Sequence, residues 1–514
     1  MTDSALSNMD IPRDLGHWIG FSGPSDAAAA PSDGAERAGK WLDVTEPATG
    51  TVFARVAAGT GADVERAVRA AQRAFPAWSA LPAAERGAWM ERLAQAVEDR
   101  MEAFVQAESM DTGKPVHVAR AVDIPRAVLN LRYFAGLIRH RTETQARPRP
   151  GVTHTTVHAP LGVVGCISPW NLPLYLFTWK IAPALAAGNC VVGKPSEVTP
   201  LTAWMLGRAA ADIGFPEGVL NIVQGTGPAA GAALVDHPDI KAISFTGSTA
   251  VGRDIAVRAA SRLVKTSLEL GGKNPTIVFA DADQDKAARE AARAAFANQG
   301  QICLCGSRIL VEASVYEAFR ERLLSHVGAL RVGDPLEPTS DLGALVSRAH
   351  FDKVSAWLDI ARAEGARILT GGGPVTPTKN HTPSASSGAD GRCANGWFIA
   401  PTLLEGLPPD CRTNQEEIFG PVATLQPFEN EADALRQANG THYGLAASVW
   451  TSSLARAHRV GNALESGLVW INCWMERELG MPFGGVKQSG LGREGGHHAL
   501  DFFSEIKTIT VNHE

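Results

Sequence analysis

No run in these 514 residues is apolar for long enough to cross a bilayer, so no membrane span is expected. Neither sign of charge dominates. The formal net charge of -6 gives no electrostatic reason to bind nucleic acid or an anionic membrane. Cysteine is sparse and irregular: Cys166, Cys190, Cys303, Cys305, Cys393, Cys411 and Cys473. An odd count at such spacing is no disulfide framework and reads as reduced thiols. Cys303 and Cys305 stand one residue apart with no second pair near them, which is not structural-zinc spacing, so no metal is expected. The opening MTDSALSNMDIPRD carries early acids and no apolar core, unlike a secretory signal, and is too acidic and arginine-poor for a transit peptide. No internal repeat is visible. A soluble, cytoplasmic protein is the expectation. The length calls for two or three domains.

What is present is an alternating pattern. Residues 22–40 are small, polar and Pro/Gly-containing, and read as a loop or mobile arm. From Gly61 to about Asp111 apolar residues recur at helical spacing, as in GADVERAVRAAQRAF. Asp123 is placed to cap a further helix with Pro125 in its first turn. The apolar runs VVGCIS, CVVGKP, LNIVQG, AISFTG and TIVFA are each bounded by Gly, Pro or Ser, with helical stretches between them. That alternation implies βαβ units and a mainly parallel sheet. A second alternating set starts near Arg308, so two α/β domains are expected to meet near residue 270. Residues 374–396 are low in complexity and read as a surface loop. The C-terminal SEIKTITVN alternates as a strand does.

Three segments can carry chemistry: ISPWNLPLYLFTWK from Ile167, LELGGKNP from Leu268 and FANQGQICLCGSR from Phe296. Cys303 lies among small residues and glycine, where a substrate carbonyl could approach a thiolate. A buried structural cysteine is the commoner fate of a free thiol, and spacing alone favours it. Glu269 is an acid ending an apolar strand, and Asn171 could donate its amide to an oxyanion. Taken singly, a solvated carboxylate and a turn asparagine fit equally. A cofactor site is suggested by SFTGSTAVG, where a strand ends at Gly247 and a helix begins near Ser248, because helix N-termini offer free amides to a pyrophosphate. A serine there also fits a simple helix cap. Gly225 opens a glycine pattern that is weak by itself. Lys194 and Glu197 follow another strand. An acid there can accept from ribose hydroxyls and repel a 2′-phosphate, although surface charge explains both residues equally.

Together these segments resemble the aldehyde dehydrogenase superfamily, from about residue 40 to the C-terminus and with several motifs in order. The resemblance implies an α/β fold with a Rossmann-like NAD-binding domain (41–138 and 161–270) and an α/β catalytic domain (271–485). It adds a small β oligomerisation arm (139–160 and 486–514) after an N-terminal arm (1–40). It implies that Cys303 attacks the aldehyde carbon, giving a thiohemiacetal whose oxyanion is held by the Asn171 side chain and the Cys303 amide. Hydride loss to NAD leaves a thioester, and Glu269 activates the water that hydrolyses it. Cys305 would only line the pocket. Lys194 and Glu197 would hold the adenosine ribose, and Ser248 would lie near the pyrophosphate beside Gly225, Gly247 and Leu270. Glu417 and Phe419 would position the nicotinamide ribose and ring, and the backbone at Ser168 and Trp170 would line the adenine-side cleft. A homodimer or homotetramer is implied, with a small-molecule substrate and no nucleic-acid or membrane partner.

Within the family, SPWNLPLYLFTWKIAPALAAGN, SGLVWINCWMERELGMPFGG and FFSEIKTIT resemble the muconic semialdehyde dehydrogenases, those of the amino substrate before those of the hydroxy substrate. The likeness places Arg126 and Arg477 on two sides of the substrate tunnel, where an arginine fork matches a carboxylate. Leu172, Trp179 and Cys473 would form its apolar walls. A non-catalytic relative would usually have lost Cys303, Glu269 or Asn171. A cysteine hydrolase would need a general base, usually histidine, in a recognisable context, and none is visible. A CoA-acylating dehydrogenase is disfavoured by the retained Glu269.

Overall fold

The computed structural model describes residues 11–20, 41–377 and 391–513. Both arm segments read as loops from sequence, 22–40 and most of 374–396, fall largely outside them. Among the described residues no helix is long and apolar enough to cross a membrane.

The helical periodicity after Gly61 resolves into three helices, Gly61–Ala80, Ala83–Glu98 and Met101–Thr112. The first is opened by a capping box in which the Thr60 amide donates to Asp63 Oδ2 at 2.8 Å. The apolar runs that follow form a six-stranded sheet. Its order is Gly490–Leu491, Lys265–Glu269, Ile240–Thr246, Val163–Ile167, Cys190–Lys194 and Leu220–Ile222. All neighbours are parallel except Gly490–Leu491, which returns antiparallel and pairs Gly490 with Glu269. These strands are buried on both faces, as near-continuous Val/Ile runs require. The helix Pro173–Ala186 is buried all round, so its side chains are core on every face. On the outer edge Trp18 exchanges backbone hydrogen bonds with Ile222, at 2.9 and 2.7 Å, and so ties residues 11–20 to this sheet.

A second sheet has seven strands in the order Arg367–Thr370, Thr402–Glu405, Val422–Phe428, Arg308–Glu312, Pro275–Val278, Ala446–Trp450 and Leu468–Ile471. Only its first pair is antiparallel. The chain passes from one sheet to the other between Glu269 and Pro275, close to the change expected at residue 270. A separate antiparallel sheet joins Gln145–Arg149, Val152–Pro160 and Ser504–Asn512, the last being the alternating C-terminal stretch.

Two local expectations need correction. Asp123 does not cap a helix: its backbone is already helical, at φ -67° and ψ -52°, and its side chain makes no capping bond. Residues Ala119–Asp123 form a π-helical turn that runs into the helix Ile124–Arg139. The Asp123 carboxylate turns inward to Lys114 Nζ at 3.0 Å, because a charge buried there needs a counter-ion. The segment 374–396 is also not wholly a loose surface loop. At its far end Cys393 is buried with Ala48, Ala344 and Phe398. Arg392 bridges Glu46 and, at 2.6 Å, Asp334.

Candidate active site

The residues singled out in the first half of the chain gather at one end of the six-stranded sheet. Ser168, Trp170 and Asn171 follow Val163–Ile167, and Lys194 ends its strand with Glu197 just beyond. Gly225 follows Leu220–Ile222, Gly247 and Ser248 follow Ile240–Thr246, and Glu269 ends Lys265–Glu269 with Leu270 next. Ligands of open parallel sheets bind at the carboxyl ends of the strands, so this convergence marks the cleft without reference to any motif.

Cys303 lies beyond an unusual turn. Asn298, Gln299 and Gly300 all have positive φ, at 51°, 57° and 70°. Only glycine fits the last position, where a Cβ would lie 2.0 Å from the Gly420 carbonyl oxygen. The turn presses the Cys303 loop against residues 417–420, and Gly272, Cys303, Cys305, Glu417 and Phe419 line one cavity. Asn274 clamps the loop from behind. Its Nδ2 donates to the carbonyls of Cys303 (2.7 Å) and Cys305 (2.9 Å), and its Oδ1 accepts from the Ala446 amide at 3.0 Å. At Gly272 a Cβ would come within 2.8 Å of the Cys303 carbonyl oxygen, which explains that glycine. Asn171 reaches the same loop, donating from Nδ2 to the Gln301 carbonyl at 2.8 Å.

The electrostatics separate the groups. Burial pushes the Cys303 thiol above its ordinary range, the Glu417 and Glu269 carboxylates push it the same way, and Arg477 opposes them. Burial also raises Glu269 well above the usual carboxylate range, with Glu494 adding to the effect and Lys180 opposing it. Both Glu269 carboxylate oxygens are buried without a hydrogen-bond partner. Behind it, Lys180 Nζ lies 2.9 Å from Glu494 Oε1 and donates to Ser244 Oγ at 3.1 Å. Glu417 is raised to about 7 by burial, although its Oε1 accepts from the Gly272 amide at 2.8 Å. Phe419, at φ 64°, is held by His350, whose Nε2 lies 2.7 Å from the Phe419 carbonyl oxygen.

The rest of the cleft suits a dinucleotide. Lys194 is buried, and its ammonium donates to the carbonyls of Pro195 and Gly225, both at 2.7 Å, and lies 3.3 Å from Glu197 Oε2. The partly exposed Glu197 is thus held beside a fixed cation, where it can meet ribose hydroxyls. Ser248 caps the twelve-residue helix Thr249–Ala260 by accepting from the Val251 amide, leaving other first-turn amides free for an anion. The Trp170 ring turns towards the other end of the cleft. It packs against Phe419 at 5.3 Å and His350 at 4.9 Å between centroids, while the buried Ser168 amide donates to the Lys194 carbonyl.

Arg126 and Arg477 converge on one indole. Their guanidinium carbons lie 5.8 and 5.6 Å from the Trp179 ring centre. Arg126 also sits over Tyr175 (5.2 Å) and donates to Asn130 Oδ1 (3.2 Å), leaving its Nη2 buried without a partner. Arg477 donates to the Tyr175 hydroxyl at 2.9 Å and covers Phe483 at 4.0 Å. Burial lowers the Arg126 pKa, and the Arg477 charge adds to the effect. Leu172 packs with Tyr175 and Leu176 beside them, and Cys473 borders the larger core that contains Trp179.

Sequence reasoning did not assign Asn274, Lys180, Glu494, Lys114 or His350. Asn274 stands inside a quoted motif, and Lys180 is a lone charge in an apolar helix, so both carried a signal. Glu494, Lys114 and His350 become visible only through contacts far apart in sequence.

Residues 35–509 match the aldehyde dehydrogenase family. A 2-aminomuconic semialdehyde dehydrogenase of Danio rerio is 48% identical over 475 residues, covering 92% of this chain and 96% of that protein. A 2-hydroxymuconic semialdehyde dehydrogenase of Pseudomonas sp. (strain CF600) is 44% identical over 480 residues, covering 92% and 96%. Among solved structures, the betaine aldehyde dehydrogenase of Staphylococcus aureus in complex with NAD+ superposes with a TM-score of 0.90 at 35% identity, covering 99% of this chain and 97% of that one.

Proposed function

The chain belongs to the aldehyde dehydrogenase family, and from that premise we propose that Cys303 is its nucleophile, Glu269 its general base and Asn171 its oxyanion donor. The family's activity is the NAD-dependent oxidation of an aldehyde to its acid. Cys303 adds to the aldehyde carbon, and its proton passes to a base. A thiol raised by burial needs such an acceptor, and Glu269, itself raised and with both oxygens unpartnered, is built to receive a proton. Asn171 Nδ2 is held on the nucleophile loop, where it can stabilise the developing oxyanion. Bound NAD supplies the hydride acceptor. Lys194 and Glu197 would hold its adenosine end, Gly225, Gly247, Ser248 and Leu270 its middle, and Glu417 and Phe419 its nicotinamide end. Once that first proton has left Glu269 for solvent, the carboxylate draws a proton from the water that attacks the thioester carbon; the carbon–sulfur bond breaks, the acid is released and the Cys303 thiolate is reprotonated.

The substrate we propose is a short semialdehyde with a carboxylate at its far end, 2-aminomuconate 6-semialdehyde before its hydroxy counterpart. The observation that carries this is the pair of guanidiniums on one Trp179 ring, one of them with a buried, unpartnered Nη2. Two like charges held together are stabilised by an anion between them. The arginines do not distinguish amino from hydroxy. Support for the amino compound is the 48% identity to the aminomuconic enzyme of Danio rerio against 44% to the hydroxymuconic enzyme, although a Pseudomonas aminomuconic enzyme stands at 43%. A turnover screen with NAD tests this reading: carboxylate-bearing semialdehydes should lead neutral aldehydes of equal length in kcat/KM, and equal efficiency would overturn it.

We also propose a cytoplasmic homodimer or homotetramer. Seven free cysteines support a reducing compartment, and exposed Ile506, Ile509 and Val511 on the three-stranded arm support assembly there.

A further inference from the structure

We propose that Lys114, held by Asp123, is a positioning residue for Asn171: its ammonium fixes the Asn171 peptide so that the side-chain amide faces the carbon attacked by Cys303. This rests on the oxyanion role proposed above for Asn171.

Neither Lys114 nor Asp123 has any exposed side chain, and their charged atoms lie 3.0 Å apart. The same Nζ donates to the Asn171 carbonyl oxygen at 3.2 Å. Both ends of the lysine are anchored. Its carbonyl accepts from Ser109 Oγ at 2.6 Å, just after the helix Met101–Thr112 closes on left-handed Gly113. Asp123 is the last residue of the π-helical turn, a feature common where a helix is re-registered for function. Three residues further on the same helix stands Arg126 of the substrate pair.

The Asn171 carbonyl has a second donor, Asn298 Nδ2 at 3.2 Å, from the left-handed turn before Cys303. The Asn171 side chain in turn donates to Gln301 in that turn. Lys114 therefore closes a circuit running from the oxyanion donor to the nucleophile loop and back. Stability alone is a poor reason for the pair, since a buried ion pair is often matched or bettered by apolar residues of similar volume. The surroundings sharpen the point. Glu108 and Asp111 are buried nearby, each with one unpartnered oxygen, and the Lys114 charge acts on Glu108 as well as on Asp123, so two carboxylates share a single ammonium. An ammonium fixed on one specific carbonyl is better explained by that carbonyl's position than by charge balance.

The test measures the NADH burst of the full-length enzyme at saturating NAD, with hexanal and with a carboxylate-bearing semialdehyde. Lys114→Met strands Asp123 and can unfold the chain, so Lys114→Met/Asp123→Leu, which removes both partners of the 3.0 Å pair, is measured beside it. The pair variant should lose roughly tenfold to a hundredfold in burst rate on both aldehydes, somewhat less than the loss of an oxyanion donor itself. Its KM for NAD should hold within about twofold, since neither Lys114 nor Asp123 is among the residues assigned to the cofactor. In an Asn171→Ala background the same pair variant should cost no more than about a further twofold, because its effect passes through Asn171. A pair variant with a wild-type burst, or losses that multiply in the Asn171→Ala background, would overturn the inference. An intact burst in Asn171→Ala alone overturns the oxyanion assignment and this inference together, a different result from an intact burst in the pair variant only.

Discussion

Arg126→Met removes a guanidinium while keeping an apolar stem against Tyr175 and Trp179. The wild-type group spends one donor on Asn130 and leaves Nη2 buried and free, so its removal deprives a bound carboxylate of a charged donor and also leaves the buried Asn130 Oδ1 without this donor. A hydrogen bond to a charged group contributes about 1.5–3 kcal/mol. At ~1.4 kcal/mol per decade, kcat/KM for the carboxylate-bearing semialdehyde should fall about tenfold to a hundredfold. A neutral aldehyde of the same length should change by no more than about twofold. Arg477→Met should be less clean, because it also strips the Tyr175 hydroxyl of its partner and uncovers Phe483. The assay is NADH formation under steady-state conditions with both aldehydes and both variants. Parallel losses on the two aldehydes would refute the reasoning, and the arginines would then be supports of the tunnel wall.

Cys303→Ala should abolish NADH formation while calorimetry still detects NAD binding; near-normal turnover would dismiss the nucleophile. Glu269→Gln should stall as a thioester visible by intact mass. Because burial raises Glu269, its basic form is lost as pH falls through a pKa well above 4.5, so deacylation should decline on the acid side earlier than an ordinary glutamate allows. An acid limb at ordinary carboxylate pH would contradict this. Glu197→Gln should narrow the preference for NAD over NADP by removing a like charge from the 2′-phosphate; an unchanged ratio of catalytic efficiencies would count against Glu197 as the discriminator. Asn274→Ala leaves the Cys303 and Cys305 carbonyls without their donor, at about 1–3 kcal/mol for each buried group, so calorimetry should show a lower Tm together with a lower kcat. An unchanged melting curve would mean that the clamp is not needed.

Strand-by-strand, the cleft was legible because each apolar run ends in the residue that faces it: Lys194, Gly247 and Glu269 can be placed by finding where a βαβ pattern stops. Cys303 was legible only as part of a long motif, since a thiol in a glycine-rich stretch has no period to mark it. Asp123 was misread for a physical reason. An acid two residues before a proline looks like a helix cap, and the one-residue insertion that turns it inward leaves no mark on hydrophobic spacing. The packing of the Trp170 ring was not legible, because its neighbours, His350 and Phe419, lie far along the chain. Lys180 and Glu494 likewise meet across 314 positions, a pairing no local pattern encodes.

The antiparallel strand Gly490–Leu491 has a consequence for synthesis. It seals the edge of the first sheet at Glu269, and the Leu270 amide donates to the Ser489 carbonyl at 2.9 Å. A ribosome that has just made Glu269 must add about 220 further residues before that edge can close, which at roughly 5–20 residues per second is tens of seconds. Throughout that interval the nascent sheet presents an unpaired edge to other chains and to chaperones. Closing so long a loop also places this contact among the slow, non-local steps of folding. A chain released before residue 490 would retain Cys303, Glu269 and every strand of the second sheet, yet would lack the strand that pairs with the one carrying its base.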